Sequence, residues 1–469
     1  MRPLWEDRAG ELLDHLIGSP GVSLPRRRAA RGIKAVASTA SEVSDVLSIL
    51  VERLDEWDWP AEGVALRGER QHGKSRIHID EYLLDALLHA HVGLSWGSAL
   101  LGWCERVATG SSTPLFTPLP EHDDSVEPGP TTIEAAYRDH LRHDLELRLE
   151  RAADELNVSS LDGSKQGYAA STSSSGIDRP GRHDELLGHV TMQIRARLAL
   201  HPQREVWVLQ FDLRDCFPSL SHAAMLECLR FLEVSPRWLR FFERYLAATV
   251  RTPEGPRRLE RGLPINGMLG WVLGELMLLP LDLAVHDEIG VRLLRLVDDV
   301  VVVATSAAQV ERVWAVVGEF ASALGLEINL AKSGCVGITS VGVAPVVPAS
   351  LPQTRPRWGA LRLQADGSWQ VDEARVEELR VWMVEHLSGA SSVLQMASRY
   401  NAEMSYLIRG LGVIHHLGED HLDRVTRPLI ELQQNLAGPG RGIAEMIQER
   451  AARSDGAVAH APIPSPLLY

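Results

Sequence analysis

Cysteine is scarce in this chain: its 469 residues include four, Cys104, Cys216, Cys228 and Cys335, and no two of them form a C-x-x-C pair. Such spacing excludes a disulfide framework and a cysteine zinc site, and it fits a protein of a reducing compartment. We therefore expect a cytoplasmic location.

Long apolar runs are also missing. The most apolar window, residues 82–107, carries acidic, basic and histidine side chains from Asp85 to Arg106, and the first residues lack a signal-peptide pattern. A membrane-spanning helix needs about 20 consecutive apolar residues, so we expect no membrane segment. A composition of 45% hydrophobic and 23% charged residues is typical of a soluble protein with more than one domain.

Basic residues are fewer than acidic ones, and the formal net charge is −14. Proteins that coat nucleic acid without sequence preference do so by neutralising phosphates, and that class is excluded. A local basic groove is not excluded. Its first candidate is the cluster from Arg26 to Lys34, although most such clusters are solvated surface.

An Asp pair interrupts the most β-branched stretch of the chain, residues 293–305. A run this rich in Val predicts strands, so Asp298-Asp299 is expected at the tip of a hairpin with a buried arm on each side. Two carboxylates beside a core are costly unless a positive charge meets them. The alternative is a turn in which both are solvated.

A second carboxylate-bearing strand, residues 205–212, ends on Asp212 and precedes helices, the Asp298-Asp299 hairpin, a helix at 307–324 and a strand at 326–330. This order predicts the split βαβ arrangement of a ferredoxin-like sheet, in which the first strand and the hairpin are neighbours. Asp212 and Asp298 would then share one edge. Three converging carboxylates need divalent cations such as Mg²⁺, which suits nucleotidyl transfer.

Residues 68–75 formally satisfy the P-loop pattern G-x-x-x-x-G-K-[ST], which would hold a triphosphate at the start of a helix. The residues that follow, Arg76-Ile-His-Ile79, alternate between polar and apolar instead. This period predicts a β-hairpin with its tip at His72-Gly73 and cationic side chains along it. The alternatives are a P-loop NTPase, with Asp212 ending a Walker-B-like strand, and a plain surface hairpin.

These segments resemble the motifs of reverse transcriptases, particularly bacterial retron-like and abortive-infection or defence-associated ones. Phe211-Asp212-Leu-Arg-Asp-Cys-Phe217 is similar to their first palm motif, and Leu296-Val-Asp-Asp299 is similar to the third. The second motif is matched by Gly262-Leu-Pro-Ile265, followed by Leu278-Leu-Pro-Leu-Asp282. Residues 325–333 are similar to the fourth, and Gly73-Lys-Ser-Arg76 to the hairpin that precedes the palm. Together their order and spacing make the resemblance specific over roughly residues 205–335.

The resemblance implies an α+β right-hand polymerase with a ferredoxin-like palm sheet, a largely helical N-terminal and fingers region, and a helical thumb-like region. We predict an N-terminal extension and fingers over 1–183, a palm over 184–345 and a thumb-like domain over 346–469. In that last domain we expect a hairpin at 361–371 and helices at about 372–387, 391–409 and 419–436. They would contact product through Arg399, Arg409, Arg424 and Arg427, or form a protein-interaction module instead.

The resemblance also implies roles for single residues. Asp212 and Asp298 would hold two Mg²⁺ ions, or Mn²⁺ in their place, with Asp299 in support. The implied substrate contacts are Phe217 against the sugar 2′ position, Lys74 and Arg76 on the triphosphate, Asn266 in the turn of the second motif, and Lys332 as proton donor to pyrophosphate.

The expected partners are dNTPs, an RNA template or an associated non-coding RNA, and a DNA product, with homo-oligomerisation left open and antiphage defence implied by analogy. Two residues depart from the family pattern: Leu296 replaces an aromatic residue, and Asn266 replaces a glycine. Both lie where template and primer ends are held. Synthesis without a template therefore stays open, as does a non-catalytic palm that serves as a nucleic-acid-binding scaffold.

Overall fold

The computed structural model describes residues 53–71, 74–90, 92–93, 182–231, 234–264, 268–412 and 417–453. Most of the region predicted as a largely helical N-terminal extension and fingers, residues 1–183, lies outside this described part, as does Asn266. None of the described helices is long and apolar enough to cross a membrane.

The first described strands form an antiparallel hairpin, β1 (Ala65–Gln71) and β2 (Lys74–Asp80). Gln71 pairs with Lys74, so the tip falls at residues 72 and 73, where the alternation of the sequence predicts it. A P-loop would require a helix at Lys74. Because a strand begins there instead, the P-loop interpretation is wrong.

The elements that follow build the central domain. They are, in chain order, α1 (Arg182–Leu200), β3 (Val206–Arg214), α2 (Cys216–Ser219), α3 (His222–Phe231), α4 (Pro236–Leu246), β4 (Thr249–Thr252), β5 (Gly255–Arg258), α5 (Met268–Ile289), β6 (Leu293–Leu296), β7 (Asp299–Ala304), α6 (Ala307–Leu324), β8 (Glu327–Ile328), a 3₁₀ helix (Leu330–Lys332) and β9 (Gly334–Ile338).

Five of these strands form one antiparallel sheet with β3 near its centre. On one side β3 pairs with β7, which in turn pairs with β6. On the other side β8 and then β9 pair with successive parts of β3. The predicted neighbourhood of first strand and hairpin is thereby confirmed, and so is the α+β class with a ferredoxin-like palm sheet.

The strand predicted at residues 326–330 is shorter in the structure, because β8 covers only Glu327–Ile328 and the 3₁₀ helix begins at Leu330. Most of that edge of β3 is covered by β9, which sequence reasoning missed. Its two glycines disfavour a strand by local propensity, so the sequence did not predict one here. They are required by close approach: a Cβ on Gly334 would lie 2.6 Å from the backbone of Arg355, and one on Gly337 2.8 Å from the ring of Pro345.

Side chains of β3 alternate between two cores, as the pleat of a strand requires. Trp207 and Phe211 pack with buried residues of α5 and α6, whereas Val206 and Val208 pack with α1 and the C-terminal helices. Burial on both faces explains why the strand is nearly continuous in apolar residues. The only interior polar residue near its end is Asp212, which is 5% exposed.

The C-terminal region begins with a small sheet, β10 (Arg357–Trp358), β11 (Leu361–Leu363) and β12 (Trp369–Val371). Four helices follow: α7 (Glu373–Ser388), α8 (Val393–Gly410), α9 (Glu419–Gln434) and α10 (Ile443–Arg453). The predicted hairpin and the first three helices are confirmed within a few residues, and α10 was missed. Arg399 donates to the backbone oxygen of His386, and Arg427 pairs with Glu431. The side chain of Arg409 is outside the described part.

Candidate active site

Strand pairing brings two of the predicted carboxylates together. In the register of β3 and β7, Asp212 is directly opposite Asp299. Leu296 pairs with Asp299 across the β6–β7 hairpin, so Val297 and Asp298 form its two-residue turn. Asp212 is buried, while Asp298 and Asp299 are partly exposed. The carboxylates therefore gather at one edge of the sheet, at the end of its central strand.

Both oxygens of Asp212 accept hydrogen bonds from the segment between β8 and β9. Lys332 Nζ lies 2.5 Å from Oδ1, and Asn329 Nδ2 donates to Oδ2 at 2.9 Å. The backbone N–H of Asn329 also donates to the backbone oxygen of Asp212 at 2.8 Å. Asn329 lies within the fourth motif, but sequence reasoning assigned it no role. The structure makes it the closest partner of Asp212 besides Lys332.

Lys332 is the cation that the three carboxylates share. Burial acts to lower its pKa, but the hydrogen bond and charge of Asp212, together with the charges of Asp299 and Asp298, outweigh burial and raise the pKa above its usual value. The ammonium group thus stays protonated at neutral pH, beside the carboxylates. Its side chain is 43% exposed, so the proton remains accessible from solvent.

The buried thiol of Cys216 lies in the same electrostatic neighbourhood. Burial, followed by the negative charge of Asp298, raises its pKa to about 12, while Arg295 acts in the opposite direction and Asp212 and Glu275 add to the increase. A thiol with such a pKa stays protonated at neutral pH and is a poor nucleophile. Cys216 therefore belongs to the packing beneath the carboxylates.

The donor set suits a hard divalent cation in kind, because Mg²⁺ prefers carboxylate oxygens. Within the described residues, however, no group of three or more His, Cys, Asp or Glu side chains is arranged to hold a metal ion. Both oxygens of Asp212 are already engaged with Lys332 and Asn329. Because each carboxylate oxygen has two lone pairs, Asp212 can keep both hydrogen bonds and still coordinate a cation.

Phe217 lies in the one-turn helix α2, immediately after the end of β3, and is half-buried. Its backbone oxygen accepts from the N–H of Leu263 at 2.9 Å. Nearby, Gly262 has a φ of 84°, and a Cβ there would lie 2.5 Å from the oxygen of Pro218. The second motif therefore packs directly against the segment that follows Asp212, and Gly262 is required by this close approach.

Lys74 and Arg76 lie on β2, and their side chains are outside the described part of the structure. The hairpin is attached to the central domain at its base. There Val64 N–H donates to Thr249 at 2.9 Å, and Arg251 N–H donates to Val64 at 2.9 Å. The structure thus anchors the base of the hairpin, and the predicted substrate contacts of Lys74 and Arg76 stay predictions.

Comparison with protein families gives a match to "Reverse transcriptase (RNA-dependent DNA polymerase)" over residues 165–346. The matched segment contains Asp212, Asp298, Asp299 and Lys332, and it spans the sheet that carries them. A comparison with curated proteins finds no match.

Solved structures similar to this chain include two telomerases. One is apo telomerase from Candida tropicalis truncated from its C-terminal domain, with a TM-score of 0.38, 12% identity, and coverage of 71% of this chain and 60% of that one. The other is telomerase from Candida albicans with a TWJ fragment of telomeric RNA, with a TM-score of 0.36, 11% identity, and coverage of 86% and 63%. The chain spans less than two thirds of the length of either telomerase. The family match thus shows that residues 165–346, less than half of the chain, are similar to a reverse transcriptase domain.

Proposed function

We propose that this protein is a metal-dependent DNA polymerase of the reverse transcriptase type, which adds dNTPs to a primer 3′ end and copies RNA. One observation carries the proposal: Asp212 on the central strand lies opposite Asp299 and beside the Val297–Asp298 turn, with Lys332 on its carboxylate. The family match over residues 165–346 supports the same class of chemistry.

Each residue then has a defined task. Asp212 and Asp298 hold two divalent ions, Mg²⁺ or Mn²⁺, with Asp299 in support. When bound, such ions lower the pKa of an attacking hydroxyl and neutralise the charge of an in-line phosphoryl displacement. Lys332 carries a proton beside Asp212 and passes it to the departing pyrophosphate.

Substrate selection falls to residues around the carboxylates. Phe217 lies against the sugar and disfavours a 2′-hydroxyl, which is the group that distinguishes ribonucleotides from deoxyribonucleotides. Lys74 and Arg76 contact the triphosphate from the hairpin, and Asn266 shapes the turn of the second motif. In this proposal the partners are dNTPs, an RNA template or associated non-coding RNA, and the DNA product.

The cellular setting belongs to the same proposal. Cys216, Cys228 and Cys335 are free thiols, which agrees with a reducing cytoplasm. The resemblance of the motifs to bacterial defence enzymes is the ground for a role against phage. An infection assay that compares wild-type protein with Asp298→Asn tests that role, and equal protection by both would favour a non-catalytic scaffold.

The activity test uses purified full-length protein with Mg²⁺ and labelled dNTPs, both on added RNA templates and with the nucleic acid that co-purifies. We expect wild type to incorporate label and Asp212→Asn and Asp298→Asn to lose it. Asp287→Asn is the matched control, because Asp287 is exposed near the far end of α5 and should leave activity unchanged. Absence of product from wild type in every arm refutes the proposal, and sequencing product made without template identifies template-independent synthesis.

A further inference from the structure

A buried arginine lies directly before the carboxylate-bearing turn. Arg295 on β6 is 4% exposed, and its guanidinium contacts two acidic residues of α5. It meets Asp282 through Nε at 2.9 Å and Nη2 at 2.7 Å, and Glu275 through Nη1 at 2.7 Å. Asp282 and Glu275 are themselves 3% and 4% exposed.

Arg295 keeps its positive charge in this buried triad. Burial acts to lower the pKa of Arg295, but Asp282 and Glu275 outweigh it and raise the pKa above its usual value. Buried ion networks seldom stabilise a fold more than well-packed apolar residues of the same size would. Fold stability alone therefore gives no reason for three buried charged groups at this position.

The guanidinium also reaches the turn. Arg295 Nη1 donates to the backbone oxygen of Val297 at 3.3 Å. Val297 has a φ of 58°, in the left-handed region that is strained for a β-branched residue. A two-residue turn whose first position has positive φ normally carries glycine there. The turn that presents Asp298 is therefore strained, and a buried donor holds the carbonyl of its strained residue.

We propose that Arg295, fixed by Glu275 and Asp282, is a positioning residue that holds the Val297–Asp298 turn and thereby sets Asp298 against Asp212. Its consequence for activity rests on the proposed function, but its effect on the turn does not. The two acids orient the guanidinium through three of its nitrogens, so that Nη1 reaches the Val297 carbonyl without an ordering cost of its own. Loss of this contact would free the turn to relax.

The test must separate positioning from scaffolding. The triple variant Arg295→Met, Glu275→Gln, Asp282→Asn removes all three charges together and leaves no buried ion unpaired. The second variant, Arg295→Lys, keeps the charge but lacks the planar fork needed for both acids and the turn. Hydrogen exchange measured by mass spectrometry on the peptide containing residues 297–299 reports the turn directly, whether or not the protein polymerises DNA.

We expect both variants to unfold cooperatively, with turn amides that exchange at least tenfold faster than those of wild type and unchanged exchange in α6. We also expect weaker Mn²⁺ binding, measured by electron paramagnetic resonance. The kcat should fall by roughly 10²-fold, the loss of rate typical of a 1 Å misplacement of a reacting group, while KM for dNTP stays nearly unchanged. Val297→Gly should restore part of the kcat of Arg295→Lys, because glycine relieves the positive φ.

Wild-type exchange at the turn in either folded variant overturns the inference, and so does failure of both variants to fold, since the network would then serve the fold. The outcome is distinct from the fate of the proposed function. If wild type binds no Mn²⁺ and makes no DNA, the polymerase proposal fails while the exchange data still decide the role of Arg295.

Discussion

Phe217 and Gly274 occupy a shared space between α2 and α5: a Cβ on Gly274 would lie 2.4 Å from both Cε1 and Cζ of the Phe217 ring. No real Cβ approaches a ring so closely, so the ring holds its place only because residue 274 is glycine. The position of the residue proposed to contact the nucleotide sugar is thus set by Gly274 on α5, a glycine to which sequence reasoning assigned no role.

Gly274→Ala should displace the ring of Phe217. We expect a destabilisation of about 1–3 kcal/mol, typical of overpacking, and a changed ratio of dNTP to rNTP incorporation. Urea unfolding and single-nucleotide extension measure the two effects. In a Phe217→Ala background the same change should destabilise the protein much less, because the clashing ring is gone.

The control is Gly318→Ala on α6, where nothing lies within 4 Å of the added Cβ. It should stabilise the protein by up to about 1 kcal/mol. Equal costs of Gly274→Ala in both backgrounds would contradict the prediction.

Asn329→Asp keeps the shape of the side chain but replaces the donor to Asp212 with a carboxylate. The new negative charge would face Asp212 Oδ2 across a contact that is now 2.9 Å, and like charges so close repel strongly. We expect loss of most nucleotide incorporation and a lower melting temperature. Asn435→Asp is the matched control, since Asn435 Nδ2 donates to a backbone oxygen at the exposed end of α9. A variant at residue 329 that behaves like the control would show that the contact with Asp212 is dispensable.

Lys332 should make the stability of the protein depend on pH only in alkaline solution. Its pKa in the folded protein is raised above the usual 10.5, so its contribution is fully present below that pH and is lost as pH rises through the folded value. Because the side chain is 43% exposed, we expect about 1 kcal/mol or less. The difference in melting temperature between wild type and Lys332→Met should be equal at pH 7 and pH 9 and shrink above about pH 10.5. Lys332→Arg, which stays charged, should show no such narrowing. A difference that already shrinks between pH 7 and pH 9 would contradict the raised pKa.

Cys216 should resist alkylation in the folded protein. With its pKa raised to about 12 by burial and neighbouring carboxylates, roughly one thiol in 10⁴ is ionised at pH 8. Peptide mapping after brief iodoacetamide treatment should show Cys228, which is only half-buried, modified before Cys216 and Cys335. All should react alike after unfolding in urea. Modification of Cys216 as fast as Cys228 under native conditions would show that the thiol is open to solvent.

Elements with a strong local signal were the ones predictable from sequence. The ends of α6 follow from a side-chain cap, Ser306 accepting from the N–H of Gln309, and from Gly325 with a φ of 66°. The Val-rich hairpin follows from its period. By contrast, β9 carries glycines demanded by segments far away in sequence, and the β4–β5 hairpin contains Pro256 and exposed arginines. Local propensity therefore predicts a strand in neither segment.

The candidate site divides in the same way. Asp212 and Asp298 could be named because a carboxylate at the end of an apolar strand is unusual wherever it occurs. Asn329, Gly274 and Arg295 could not, because their roles arise from contacts made only in the folded chain. Asn329 meets Asp212 across 117 positions, and an arginine within an apolar run looks the same in sequence whether it snorkels to solvent or holds a turn.

The two-sided pairing of β3 also has a consequence for synthesis on the ribosome. The strand emerges first, but its partners β7 and β9 are translated much later, and Lys332 follows Asp212 by 120 positions. Until residue 338 has left the exit tunnel, the apolar strand β3 lacks its partners in the nascent chain, and its unpaired edges can bind other chains. The carboxylate site is thus assembled late and all at once. A nascent chain released before β9 should therefore be a target for chaperones rather than a partly active enzyme.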